Sequence, residues 1–266
     1  MKRIIHMAAL ALVAGVFCLA AQQAPANQGG KAGKGAPAQA SPEIKAVQAI
    51  IVAAQKGNDP DGVIKASDAL LADFPDSRYK EMALTSESTA YRQKGDLVKA
   101  QAVLESVIAL NPKSLPANMG LGEIITQQTG DKDFDKAQKL DKAEAYLKTS
   151  LDILNGPKPN PQMSDADWDN DKKMYTAEVH SDLGLVSRVR KDYATAVTEF
   201  QNAVNIVPEP AYSTRLADAL QLAGKNAESI AVCDKLLADP QLNPVIKGVV
   251  DSVRANAVAA SKAPAK

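Results

Sequence analysis

Aromatic residues make up only 4% of the 266-residue chain, with a single tryptophan. With few β-branched runs to join them, these residues offer little from which to build a sheet. Two cysteines and two histidines exclude a disulfide scaffold and any metal centre built from several sulfur and imidazole ligands. The formal charge is +0, with 31 basic residues against 31 acidic ones. Neither a basic field for nucleic acid nor an acidic solvating excess is therefore present. A glycine-rich phosphate loop, a pair of metal-binding histidines on one helix turn and a Gly-x-Ser-x-Gly elbow are also missing. What remains is 45% hydrophobic and rich in Ala, Leu, Lys and Gln, the composition of a helical chain with ample apolar area for a core.

The first residues read as an address. Lys2 and Arg3 precede an apolar run from Ala8 to Ala21, too short to cross a bilayer comfortably. Small residues follow, so residues 1–26 have the charge, length and exit site of a secretory signal peptide, with cleavage after Ala20 or after Ala26. The alternative is an uncleaved N-terminal membrane anchor. Cys18 is preceded by Gly15-Val16-Phe17, and the bulky Phe17 argues against a lipid attachment box. Cleavage after Ala26 leaves 29 of the 31 basic residues and a net charge of −2. It also leaves Cys233 alone, unable to close an internal disulfide in an oxidising compartment. Residues 27–41 carry Ala, Gln, Gly, Pro and Lys without apolar periodicity and are expected to be a disordered linker. The tail 261–266 reads the same way.

Between these ends the sequence repeats itself. Tyr91, Gly95, Ala100, Leu104 and Pro112 match Ser187, Lys191, Ala196, Phe200 and Pro208, and then Leu220, Gly224, Ser229, Cys233 and Pro240. Looser copies end at Pro75 and run from Leu121-Gly122 through Ala143, Leu147 and Ser150. Val47, Ile50, Ile51 and Ala54 recur at helical spacing, as do Ala143, Tyr146, Leu147 and Ser150. Gly95 and Gly224 stand between paired apolar patterns, where a left-handed residue ends one helix before the next begins. Pro244 opens a last helix carrying Val245, Ile246, Val249, Val250 and Val253, with Lys247, Asp251 and Arg254 for a solvated outer face.

This pattern resembles the tetratricopeptide repeat (TPR), a unit of 34 residues folded as helix–turn–helix. Small residues fall at repeat position 8 (Ser88, Gly184, Ala217), and Ala, or Ser229 in the last copy, at position 20. Large or apolar residues fall at position 24 (Leu104, Phe200, Cys233). The resemblance implies an all-α, TPR-type right-handed α-solenoid of 4–5 repeats with a C-terminal capping helix, over residues 42–260. The interval from Pro112 to Pro208 exceeds two such units. Breaks are therefore expected near 131–141 and, because of Pro157, Pro159 and Pro161, near 156–165.

What the resemblance implies for function is a groove lined by the first helix of each repeat. Carried over position by position, it names Thr85, Thr89, Arg92 and Gln93 in one repeat and Met119, Glu123, Thr126 and Gln127 in the next. Ser181, Leu185 and Arg188 follow, then Thr214, Arg215 and Asp218. The Lys/Asn set with which some members clamp a carboxylate terminus is missing, but Arg92, Arg188 and Arg215 remain as candidate anchors for a partner's carboxylates.

Three other residues or segments are candidates for chemistry. Asp167, Asp169, Asp171 and Glu178 match positions 1, 3, 5 and 12 of a calcium loop, although Lys172 takes the place of the turn glycine. The competing reading is a helix start capped by Ser164, with Trp168 packed inward. His180 has no histidine partner nearby and reads as a packed or surface residue. Cys233 reads as a small buried hydrophobe.

The sequence therefore points to a non-catalytic scaffold or adaptor that is exported to the periplasm and binds another protein or peptide. It calls for no cofactor, nucleic acid or membrane insertion after signal cleavage. A calcium-modulated module, and an enzyme or small-ligand binder with an unrecognised site, are the alternatives.

Overall fold

The computed structural model describes residues 40–159 and 163–262. The expected signal peptide, most of the expected linker, Cys18 and Pro161 lie outside the described residues. Among these residues there are eleven helices and no strand. They fall into two compact units, residues 1–112 and 113–266.

The first unit holds α1 (Pro42–Gln55), α2 (Pro60–Asp73), α3 (Lys80–Gln93) and α4 (Leu97–Leu110). Each start follows from local chemistry. Ser41 caps α1 by accepting from the Ile44 amide at 3.3 Å, Asp59 caps α2 from the Gly62 amide at 2.9 Å, and Asp96 caps α4 from the Lys99 amide at 3.1 Å. Pro42 and Pro60 occupy the first turn, where a missing N–H costs nothing. α1 packs on α2, α2 on α3, α3 on α4, and the two first helices, α1 and α3, also touch. Val47, Ile50, Val63, Leu70 and Ala83 form the buried centre, with Ile51 and Ala54 packed against it.

The second unit holds α5 (Leu115–Gln128), α6 (Lys136–Asn155), α7 (Asp165–Arg190), α8 (Tyr193–Ile206), α9 (Pro210–Leu222), α10 (Asn226–Leu237) and α11 (Pro244–Lys262). Sequential neighbours from α5 to α11 pack as hairpins, and the first helices of each pair also meet: α5 on α7, α7 on α9, α9 on α11. Two glycines set how closely the helices within a pair approach. A Cβ on Gly122 would come 2.5 Å from Leu147, and one on Gly184 would come 2.6 Å from the Phe200 ring. Position 24 of the second helix is thus pressed onto the backbone of position 8 of the first. Where position 8 bears a side chain the contact adapts. Ser88 donates to the Ala100 carbonyl at 3.1 Å in the first unit, and in α9/α10 Ser229 donates back to the Ala217 carbonyl at 2.7 Å. Cys233 is fully buried with Ala217, Val250 and Val253, in the core under α11.

The expected breaks are shorter than the sequence suggested. Residues 136–141 belong to α6, so only the turn before Lys136 interrupts the helices there. α7 begins at Asp165 directly after its Ser164 cap, whose oxygen accepts from the Asp167 amide at 3.1 Å. The surplus residues lengthen α6 to 20 and α7 to 26 residues, against 14 for most of the others. Trp168, 8% exposed, is buried on the added part of α7. α11 runs to Lys262, so Ser261 and Lys262, expected in the tail, are helical.

Candidate protein-interaction site

In the first unit the named residues lie on α3. The Thr85 hydroxyl donates to the Glu81 and Met82 carbonyls, both at 3.0 Å, and Thr89 donates to the Thr85 carbonyl at 3.0 Å. Their hydroxyls are therefore engaged with their own helix. Arg92 is half-buried and Gln93 exposed. Glu87, which sequence reasoning passed over, is buried on the same helix. Burial raises its carboxyl above the ordinary value, Asp68 adds to the rise, and a hydrogen bond with Tyr91 pulls it back. The Lys99 ammonium stands 5.3 Å from the centre of the Tyr91 ring, within cation–π range.

In the second unit the named residues are distributed over α5, α7 and α9, three helices that pack side by side. Met119 is buried, so it belongs to the core and not to an accessible face. The Gln127 amide donates to the Glu123 carboxylate at 2.7 Å, one turn away on α5. Arg188 on α7 donates from Nε to Asp218 Oδ2 on α9 at 2.7 Å. The Arg215 guanidinium on α9 donates to the Ser181 hydroxyl on α7. Arg188 and Arg215 thus serve neighbouring helices, where the sequence suggested anchors held open for a partner. The same repeat register places Glu178 and Asp182 at positions 2 and 6 of α7. Both carboxylates act on Tyr212 of α9, a buried phenol that burial pushes well above its ordinary value. Tyr175, one turn before Glu178, is pushed up to about 12 by burial first and then by Asp171 and Glu178. A low dielectric combined with nearby negative charge disfavours both phenolates.

The calcium reading does not survive. Asp167, Asp169, Asp171 and Glu178 all lie on the continuous helix α7, so their oxygens are spread along it instead of wrapping a centre. Spacing alone matched the loop, but an Asp-rich first turn behind a serine cap is also the ordinary start of a helix. Among the described residues no group of three or more His, Cys, Asp and Glu side chains is arranged to hold a metal. His180 Nδ1 lies 2.7 Å from Glu199 Oε2, pairing α7 with α8.

The second unit also carries a cleft of about 320 Å³, lined by Thr129, Asp131, Arg188, Val189, Lys191, Tyr193 and Leu222. It gathers the C-terminal ends of α5, α7 and α9 with the turns that follow α5 and α7.

This succession of helix pairs has solved counterparts. The crystal structure of TTC0263, a thermophilic TPR protein in Thermus thermophilus, matches with a TM-score of 0.57 at 18% identity, over 79% of this chain and 98% of that one. The fold is that of the tetratricopeptide repeat. The crystal structure of MamA matches the same TPR arrangement with a TM-score of 0.52 at 17% identity, over 73% of this chain and 88% of that one. No family-wide sequence profile matches the chain, and no curated protein matches it in sequence. The TPR reading therefore rests on five helix pairs followed by a single closing helix, the upper end of the 4–5 repeats expected.

Proposed function

We propose that this protein is a non-catalytic scaffold or adaptor of the bacterial cell envelope, which holds a peptide or helix of another protein against the first helices of its repeats. The observation that carries the reading is the cross-linked face of the second unit. Arg188 to Asp218 and Arg215 to Ser181 tie α7 and α9 together through side chains, with Glu123 and Gln127 presented on α5. A face whose polar groups are already held in place does not have to be ordered when a partner arrives, so less of the contact energy is lost to conformational entropy. Helix-in-groove and extended-peptide docking both suit such a surface.

The compartment is part of the proposal and rests on Lys2, Arg3 and the short apolar run from Ala8 to Ala21. Export through a cleaved signal leaves the repeats in the periplasm; an uncleaved segment would anchor them to the membrane.

Photo-crosslinkers placed singly at Gln127, Leu185 and Asp218 in cells, with Thr198 on the opposite helix of its pair as control, test the binding reading. A discrete adduct from the three positions, absent at Thr198, is the expected result. Adducts no different from the control would remove the groove assignment. The mass of the purified protein tests export: a chain that begins at Ala21 or Asn27 supports it, and an intact N-terminus in the soluble fraction refutes it.

A further inference from the structure

One face of α7 is acidic beyond what the start of a helix calls for. Asp171, Tyr175, Glu178 and Asp182 follow one another at spacings of four, three and four, which sets them in a single row along the helix. Asp171 is already seven residues past the Ser164 cap, outside the first turn in which the helix dipole favours acid. The row lies against α9. Tyr212 of α9 packs in one buried cluster with Ala177, next to Glu178, and Arg215 of α9 reaches Ser181, next to Asp182. Asp182 is 7% exposed, and Asp171, Tyr175 and Glu178 are half-buried. Like charges one turn apart on a helix repel, and partial burial removes some of the screening that water supplies.

Charge does not balance on this face. Asp171, Glu178, Asp182 and, at the N-cap of α9, Glu209 stand against Arg215, four carboxylates to one cation. Lys172 and Lys173 project from other sides of α7 and are matched in number by Asp167 and Asp169. Arg188 is met by Asp218, and the Arg215 guanidinium is engaged by the Ser181 hydroxyl. Inside this negative surround the fold leaves a polar group without a partner. Tyr212 is 8% exposed. Burial first, and then the charges of Glu178, Glu209 and Asp182, hold its proton in place. Among the described residues its hydroxyl has no hydrogen-bond partner, and that of Tyr175, acted on by Asp171 and Glu178, has none either.

We propose, on the basis of the groove reading above, that the partner held by the second unit is basic, and that one of its lysine or arginine side chains enters between Glu178 and Asp182 to meet the Tyr212 hydroxyl. An ammonium has three N–H donors, one for each carboxylate and one for the phenol oxygen, while the phenol O–H turns to a carboxylate. Binding relieves the repulsion along the row and gives the buried hydroxyl its partner. Charge-assisted bonds formed partly out of water are the strong ones. The sign is opposite to the one that Arg188 and Arg215 suggest in the sequence, because both guanidiniums already serve neighbouring helices.

Fluorescence anisotropy with the full-length protein purified from cells tests it. The probe is a labelled peptide of alternating Ala and Lys, with Ala/Gln and Ala/Glu peptides of equal length beside it. The lysine peptide alone is expected to bind, with an affinity that falls as salt is added. Glu178→Gln combined with Asp182→Asn should weaken it at least about tenfold. Tyr212→Phe, which removes only the hydroxyl, should weaken it as well without lowering the melting temperature. Asp169→Asn, on another side of the same helix, removes the same charge and should leave the affinity unchanged within about twofold. Equal binding of the three peptides, no binding of the lysine peptide, or the same loss in Asp169→Asn as in the double variant overturns the proposal. The groove reading fails by a different result. An in-cell adduct from Leu185 that persists unchanged in the double variant overturns the basic partner and leaves the groove standing, whereas no adduct in either background removes both.

Discussion

At position 191 a lysine occupies the backbone region that the equivalent turns give to glycine. The left-handed region costs an L-residue about 1–2 kcal/mol, offset in part by the greater freedom glycine has in the unfolded chain. Lys191→Gly is therefore expected to stabilise the protein by roughly 0.5–1 kcal/mol in urea denaturation; a loss of stability would show that the side chain's contacts outweigh its strain. Glu87 is a residue-scale case of opposite origin. Its carboxyl is raised above the ordinary 4.5 chiefly by burial, so the native state binds this proton more tightly than the unfolded chain does. The contribution favours folding fully below pH 4.5 and is lost as the pH climbs through the native value. Glu87→Gln should accordingly melt above the wild type at neutral pH and converge on it near the acid end of a pH series. Carboxylates such as Glu144, held below their ordinary value by Lys148 and Arg190, work in the other direction and are common to both proteins, so they cancel in the comparison.

The helix pair is the scale at which this chain is most regular, and its regularity is steric. Phe200 is fully buried and lies where a Cβ on Gly184 would be, 2.6 Å from the ring. Phe200→Ala is expected to cost about 3–5 kcal/mol, the loss of a buried aromatic together with the cavity it leaves. Gly184→Ala should also destabilise, because its new methyl has nowhere to go, and Phe200→Leu in the same chain should recover part of that loss. Independent, additive effects in urea denaturation would contradict the direct contact. The residue types at both positions were legible in the sequence because they recur at fixed offsets in several copies; that they touch each other was shown by the structure. The start of α7 was legible too, since Ser164 acts on an amide three residues away; Ser41 and Asp96 cap α1 and α4 by the same chemistry. The calcium-like spacing from Asp167 to Glu178 was ambiguous because a pattern of side chains does not state whether the backbone beneath it is a loop or a helix; the Ser164-capped helix read beside it is what the structure holds.

For the whole molecule, the division into units at Pro112 is what the sequence least suggested, because its irregular spacing draws attention to residues 131–141 and 156–165 instead. Across the second of these stretches α6 and α7 are joined by side chains: Arg190 binds Asp141 at 2.5 Å and also Glu144. A fragment of residues 113–266 should therefore melt as a cooperative helical unit, whereas one starting at residue 165, which lacks α5 and α6, should melt lower and more broadly in circular dichroism. Equal melting of the two fragments would place the boundary elsewhere. The sequence by itself determined the helices and their pairing, because these follow from capping chemistry and from a period that any single repeat displays, while the position 8 to position 24 contact came from the packed structure. Tertiary structure alone decided that Arg188 meets Asp218 thirty residues on, that Glu87 is buried, and that Lys191 and Asp131 share a cleft. Such neighbours come from stacking one pair on the next, which brings together residues with no fixed spacing between them.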